Sequence, residues 1–230
     1  MIRLLAPFVL LILIAWGSVR LSIGRTRRAL DARAQLLVDP ALDVELRKLA
    51  DALGIGRITL RVLPDDSVNG FADADGRIYL TQGFLAARAR AEVSDAELAS
   101  VVAHELGHVA QGHMRRRMID VAGHNVVLGV AAMLVQRLVP VIGPWLVHHA
   151  GAALMARLSR RDEFEADAWA AALLIKAGIG TAPQKSLLSR LGGLAGGGDE
   201  GVGGPAWLRS HPPAMERIRA IEANEARWGA

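Results

Sequence analysis

Residues 104–108 of the chain read His-Glu-Leu-Gly-His. Histidines four positions apart on a helix point the same way, so both imidazoles can reach one zinc ion. Glu105, directly after the first histidine, sits beside that metal, where it can take a proton from water as a general base. Five residues therefore offer two ligands, His104 and His108, and a base. The chain has no cysteine, so any transition metal here must use histidine and carboxylate ligands.

A catalytic zinc needs a third protein ligand. The pattern HExxHxxGxxH would require glycine at 111 and histidine at 114, where the chain has Gln111 and Met114. His113 lies nine residues from His104, half a turn off the ligand face of a continuous helix. A downstream carboxylate is the other solution. Glu163 and Asp167 are four apart and share a helical face with Ala166, Ala170 and Leu174. Asp162, Glu165 and Lys176 lie away from that face. In this phase Glu163 is the third ligand, and Asp167 accepts a hydrogen bond from the far nitrogen of a ligand histidine. The competing reading is a solvated, charged helix in which Glu163 pairs with Arg160.

These groups require a helix under residues 104–108, and the preceding sequence supplies its start. Ser94-Asp-Ala-Glu97 is a capping box, and Leu98, Val101, Val102, Leu106 and Val109 continue at helical spacing. Upstream, Asp39-Pro40 opens a helix that Gly54 closes. Residues 57–62 alternate as a strand; Phe71, a turn at 73–76 and residues 78–81 read as strand, turn, strand. A helix over 159–177 ends at Gly178, and a short helix follows Thr181. Eight glycines between Gly192 and Gly204 mark a flexible loop. His211 precedes two prolines and either caps the terminal helix, whose Ile218 and Ile221 share a face, or serves the site. The expected fold class is α+β: a mostly helical, zincin-like domain with a small sheet before the metal helix, plus an N-terminal membrane-anchor helix.

The anchor is expected from residues 4–19, an uncharged apolar run between Arg3 and Arg20. Its helix would span ~24 Å, short of the ~30 Å hydrocarbon core, but flanking arginines can snorkel. A cleaved signal peptide would have an unusually long apolar core. The expected organisation is an anchor at 1–24, a basic linker at 25–38 and one domain at 39–230. Within that domain, 123–155 forms an apolar hairpin of two blocks, 126–135 and 138–147, divided by Arg137, the second broken by Pro140 and Pro144; a tilted membrane-spanning pair stays open. Arginines at 20, 25, 27, 28 and 33 place the domain on the cytoplasmic side by the positive-inside rule. The net charge is +4, but aromatics make up only 4% and no nucleic-acid motif is present, so nucleic acid is excluded as a partner.

Together, HELGH, Ser159-Arg-Arg-Asp-Glu-Phe-Glu-Ala-Asp167 and Ser210-His-Pro212 resemble the gluzincin metallopeptidases of the HtpX and CAAX-prenyl-protease type, from about Asp39 to the end. The resemblance implies a zinc endopeptidase with Glu163 as third ligand, Asp167 behind the ligand shell and His211 at the cleft. Asn69-Gly-Phe71 matches a family segment, with Gly70 replacing the usual alanine. It is expected to lead into an edge strand, about Arg77 to Thr81, that lines the substrate cleft through Asn69, Phe71, Ile78 and Tyr79. The resemblance further implies one Zn2+ per chain, misfolded or membrane-associated protein substrates and a bacterial-type inner membrane. The alternative is a non-catalytic, zinc-stabilised membrane scaffold or chaperone, for which Glu105 would have no use.

Overall fold

Helix α1 (Pro40–Leu53) starts where the Asp39 carboxylate accepts from the Ala41 and Leu42 amides, and Gly54 ends it at φ 69°. This region belongs to a computed structural model that describes residues 16–17, 20–21, 23–73, 75–113, 116, 135, 142–194 and 214–229. The chain divides into two compact units, Met1–Arg33 with Met114–Ala156, and Ala34–His113 with Arg157–Ala230.

In the second unit, strands β1 (Gln35–Leu36), β2 (Leu60–Leu63), β3 (Gly70–Ala72) and β4 (Ile78–Thr81) form one sheet in the order β1-β2-β4-β3. β2 and β4 run parallel, while β1 with β2 and β3 with β4 run antiparallel. A mixed sheet of such short strands needs a helical cover to bury its apolar face. Helix α2 (Gln82–Ala89) follows directly, and helix α3 (Asp95–Ala110) carries residues 104–108. Both halves of the capping box form at the start of α3, with the Ser94 hydroxyl accepting from the Glu97 amide and Glu97 accepting from the Ser94 amide. Gly112, at φ 66°, stops the helix.

Leu42, Leu46 and Leu49 of α1 share one core with Leu98, Val101 and Val102 of α3 and with Leu60, Ile78 and Leu80 of the sheet. Helices α4 (Ile142–Lys176), α5 (Ala182–Leu194) and α6 (Ala214–Trp228) add Ala170, Leu174, Leu187, Leu191 and Ile221. Each large side chain among these contributes about 1.5–3 kcal/mol when fully buried. Arg88 of α2 pairs with both Asp39 and Asp95, tying the N-terminus of α1 to that of α3.

The structure corrects several expectations. Residues 25–33, read as linker, are helical, and β1 follows them. The strand expected at 57–62 sits at Leu60–Leu63. Pro144, expected to break the second apolar block, is helical instead, because it falls in the first turn of α4, where its missing N–H has no partner to lose. The glycine-rich segment begins inside α5, since residues 192–194 are helical. Among the described residues no helix is long and apolar enough to cross a membrane. The expected anchor and the first apolar block fall almost wholly outside the described residues, and His211 lies outside them.

Candidate metal centre and active site

Helical geometry puts His104 and His108 on one face of α3, and α4 supplies the opposing carboxylate. Between them, Nε2 of His104 and Nε2 of His108 are 3.2 Å apart, and the first lies 3.4 Å from Oε2 of Glu163 while the second lies 3.4 Å from its Oε1. A tetrahedral zinc with bonds of ~2.0–2.1 Å has ligand–ligand edges of about 3.3–3.4 Å, and this triangle of residues, with either carboxylate oxygen turned to a ring nitrogen, is of the size such an ion takes. Its donor set, two imidazoles and a carboxylate, suits a borderline cation. The close approach of the helices depends on Gly107, where an added Cβ would lie 2.8 Å from the Ala166 carbonyl oxygen.

Behind the triangle, His104 Nδ1 donates to Asp167 Oδ1 at 3.0 Å. That bond fixes the ring with Nε2 directed into the triangle. Arg217 of α6 donates to both Asp167 oxygens, from Nε at 2.6 Å and Nη2 at 2.7 Å. Burial opposes charge on Asp167, but the Arg217 guanidinium and His104 outweigh it and hold the carboxyl well below its ordinary range. For His104, burial and Arg217 favour the neutral ring, yet Asp167 and Glu163 prevail and raise it to about 9 in the metal-free protein. Burial lowers His108.

Glu105 is buried beside the triangle, and its Oε2 accepts from the Ala72 amide of β3 at 3.0 Å. Burial, aided by the nearby Glu163 charge, pushes its carboxyl up to about 7 against the opposing pull of His104. A bound dication would favour the carboxylate and bring that value down.

Thus the structure brings together His104, His108, Glu105, Glu163 and Asp167. It changes two other assignments. Asp162, placed away from the ligand face by the sequence, is buried, while Glu165, also placed away from it, lies within reach of His113. The edge strand is β3, not Arg77–Thr81, because β4 is hydrogen-bonded on both sides by β2 and β3. Ile78 and Tyr79 are consequently core residues, 2% and 0% exposed, and do not line an open cleft. Phe71, in the edge strand, stacks on Tyr79 with ring centroids 5.2 Å apart. Asn69 leads into β3, its amide donating to the Thr81 hydroxyl at 2.9 Å.

Arg217 escapes the sequence reading. The available signal is its place four residues before Ile221, which puts a cation on the buried face of α6. Nothing in the residue spacing links it to Asp167, fifty positions earlier.

A helix presenting two histidines and a glutamate, an opposing helix with a carboxylate, and a short sheet whose edge reaches that glutamate form the arrangement expected of a metallopeptidase. The chain belongs to peptidase family M48, whose model matches residues 37–225. It is 30% identical over 184 residues to the metalloprotease YcaL of Escherichia coli, covering 76% of this chain and 67% of that one. It is 29% identical over 223 residues to a protease HtpX homolog of Albidiferax ferrireducens, covering 80% and 72% respectively. Its fold is similar to the crystal structure of S. mikatae Ste24p, with TM-score 0.58 and 19% identity over 94% of this chain and 58% of that one. The protein is a metalloprotease, and its substrates are peptides or proteins.

Proposed function

We propose that this chain is a membrane-anchored, zinc-dependent endopeptidase in which His104, His108 and Glu163 hold the ion and Glu105 is the general base. One observation carries the reading: nitrogens of His104 and His108 and the oxygens of Glu163 spaced 3.2–3.4 Å apart, His104 and Glu163 buried and His108 partly so, with a buried carboxylate hydrogen-bonded to an edge strand beside them. When bound, zinc supplies Lewis acidity, polarising the scissile carbonyl and acidifying water. Glu105 takes the proton from the attacking water and returns it to the leaving amine. The Ala72 amide holds Oε2, which leaves Oε1 to handle the proton. Asp167 keeps His104 oriented, and Arg217 keeps Asp167 ionised.

Substrate binds in this reading as an added strand on β3. Thr81 donates to the Asn69 carbonyl and Asp73 donates to the Arg77 carbonyl. In an antiparallel ladder the Gly70 backbone groups and the Ala72 carbonyl then point to the opposite edge, the Ala72 amide being taken by Glu105. Main-chain pairing reads extended conformation rather than sequence, which suits misfolded or membrane-associated proteins as substrates. The apolar run at 4–19 supports a membrane anchor, and the arginines after it support a cytoplasmic catalytic domain. His211 is assigned to the cleft on sequence grounds alone.

The test is Glu105→Gln. The variant should keep one zinc per chain and lose casein hydrolysis by about 10²–10⁴-fold, the usual worth of a general base. Undiminished hydrolysis by the pure variant would exclude the mechanism.

A further inference from the structure

His113 has no part in the triangle, yet it is almost fully buried, at 1% exposure, directly behind one corner of it. Its Nδ1 lies 2.8 Å from Nδ1 of His108, with the two rings at 72° and their centroids 4.9 Å apart. Its Nε2 lies 3.3 Å from Oε2 of Glu165 and 3.9 Å from Oδ1 of Asp162. The other Glu165 oxygen accepts from Arg161 Nε at 2.8 Å.

In a continuous helix His113 would face away from the ligands. Gly112 makes the difference: at φ 66° it ends α3 and turns the chain back, so the next side chain passes under His108.

Proton counting gives the contact a direction. A histidine that ligates through Nε2 keeps its proton on Nδ1. His108 Nδ1 must then donate across the 2.8 Å contact, so His113 Nδ1 accepts and its own proton sits on Nε2, facing Glu165. We infer that His113 is a positioning residue: an acceptor that fixes the tautomer and ring orientation of His108, itself fixed by Glu165. Asp167 serves His104 in the same way. The two ligand histidines thus have separate supports from α4, a carboxylate acting directly on one and a carboxylate acting through a second imidazole on the other. The inference rests on His104, His108 and Glu163 as the zinc ligands.

The full-length chain in detergent, stripped of metal and titrated with Zn2+ against a chromogenic chelator, provides the test. His113→Leu should weaken zinc binding by about 10–100-fold, the usual cost of losing an outer hydrogen bond to a ligand. It should also shift the visible absorption bands of the Co2+-substituted protein, which a purely structural residue would leave in place. His113→Asn, whose side-chain oxygen can take the place of Nδ1 as acceptor, should recover most of that affinity. Glu165→Leu, at a half-exposed position, should give a smaller loss in the same direction and carries the test if His113→Leu does not fold.

Wild-type zinc affinity and an unchanged Co2+ spectrum in His113→Leu would overturn the proposal. So would a His113→Asn variant as weak as His113→Leu. A wild type that takes up two Zn2+ per chain, falling to one in His113→Leu, would make His113, Asp162 and Glu165 a second metal site and overturn it as well. Glu163→Ala separates the underlying reading: if that variant holds zinc like the wild type, the ligand triangle itself is wrong and this inference falls with it.

Discussion

Glu163 and Glu165 differ by two positions on α4, and that separation decides their chemistry. Glu163 is 1% exposed and within 3.4 Å of both His104 and His108, while Glu165 meets His113 and Arg161. Glu163→Ala should therefore lose stoichiometric zinc, and Glu165→Ala should still fill at saturating metal. Equal zinc contents by metal analysis would refute the ligand assignment. Arg217 permits a second prediction at this scale. It is a buried cation serving a buried anion, and removing one member of such a pair costs about 3–5 kcal/mol because the other is left uncompensated. Arg217→Met should show a loss of that order in chemical denaturation; a loss below about 1 kcal/mol, the level of an exposed ion pair, would show that the pair is not desolvated.

At the scale of elements, the site depends on how closely α3 and α4 approach. Gly107→Ala offers a comparison of two opposing terms. Alanine favours the helix by about 1 kcal/mol over glycine. Its Cβ would lie 2.8 Å from the backbone oxygen of Ala166, an atom that cannot rotate away, and overpacking of that kind costs about 1–3 kcal/mol. The clash should win, with a lower thermal midpoint and weaker zinc binding; a stabilised variant would mean that the helices separate freely. The junction of α1, α2 and α3 has a pH signature. The Arg88 hydrogen bond holds the Asp39 carboxyl below its ordinary value. A depressed native pKa means that the stabilisation is complete above the unfolded value near 4 and is lost as pH falls through the native one. Asp39→Asn should thus flatten the acid limb of the stability curve below about pH 4, by a modest amount because the pair is partly solvated.

For the whole molecule, the centre concentrates Glu105, Glu163 and Asp167 around one buried arginine. In the metal-free protein a protonated His104 shares with Arg217 the task of offsetting that charge, and a bound dication takes over from the His104 proton, so metal binding and folding are linked. At zinc concentrations 100–1,000 times Kd, linkage stabilises by about 3–4 kcal/mol. Chelation should lower the thermal midpoint and stop proteolysis, and added Zn2+ should restore both. A midpoint indifferent to the chelator, measured with activity abolished, would show that the cluster tolerates its own charge.

The sequence alone determined what local physics controls: the ends of α1, the capping box of α3, the shared face of His104 and His108, and the phase of Glu163 and Asp167. Each follows from spacing within one element, where 3.6 residues per turn is sufficient information. Tertiary structure alone decided the rest. The order β1-β2-β4-β3 made Gly70–Ala72 the edge and sent Ile78 and Tyr79 into the core, because strand order is set by pairing between distant segments. Arg217 reached Asp167 only through the packing of α6. His113, off the ligand face in any continuous helix, came beneath His108 because one left-handed glycine ended α3 a residue earlier, and a single backbone rotation there outweighs the whole helical register.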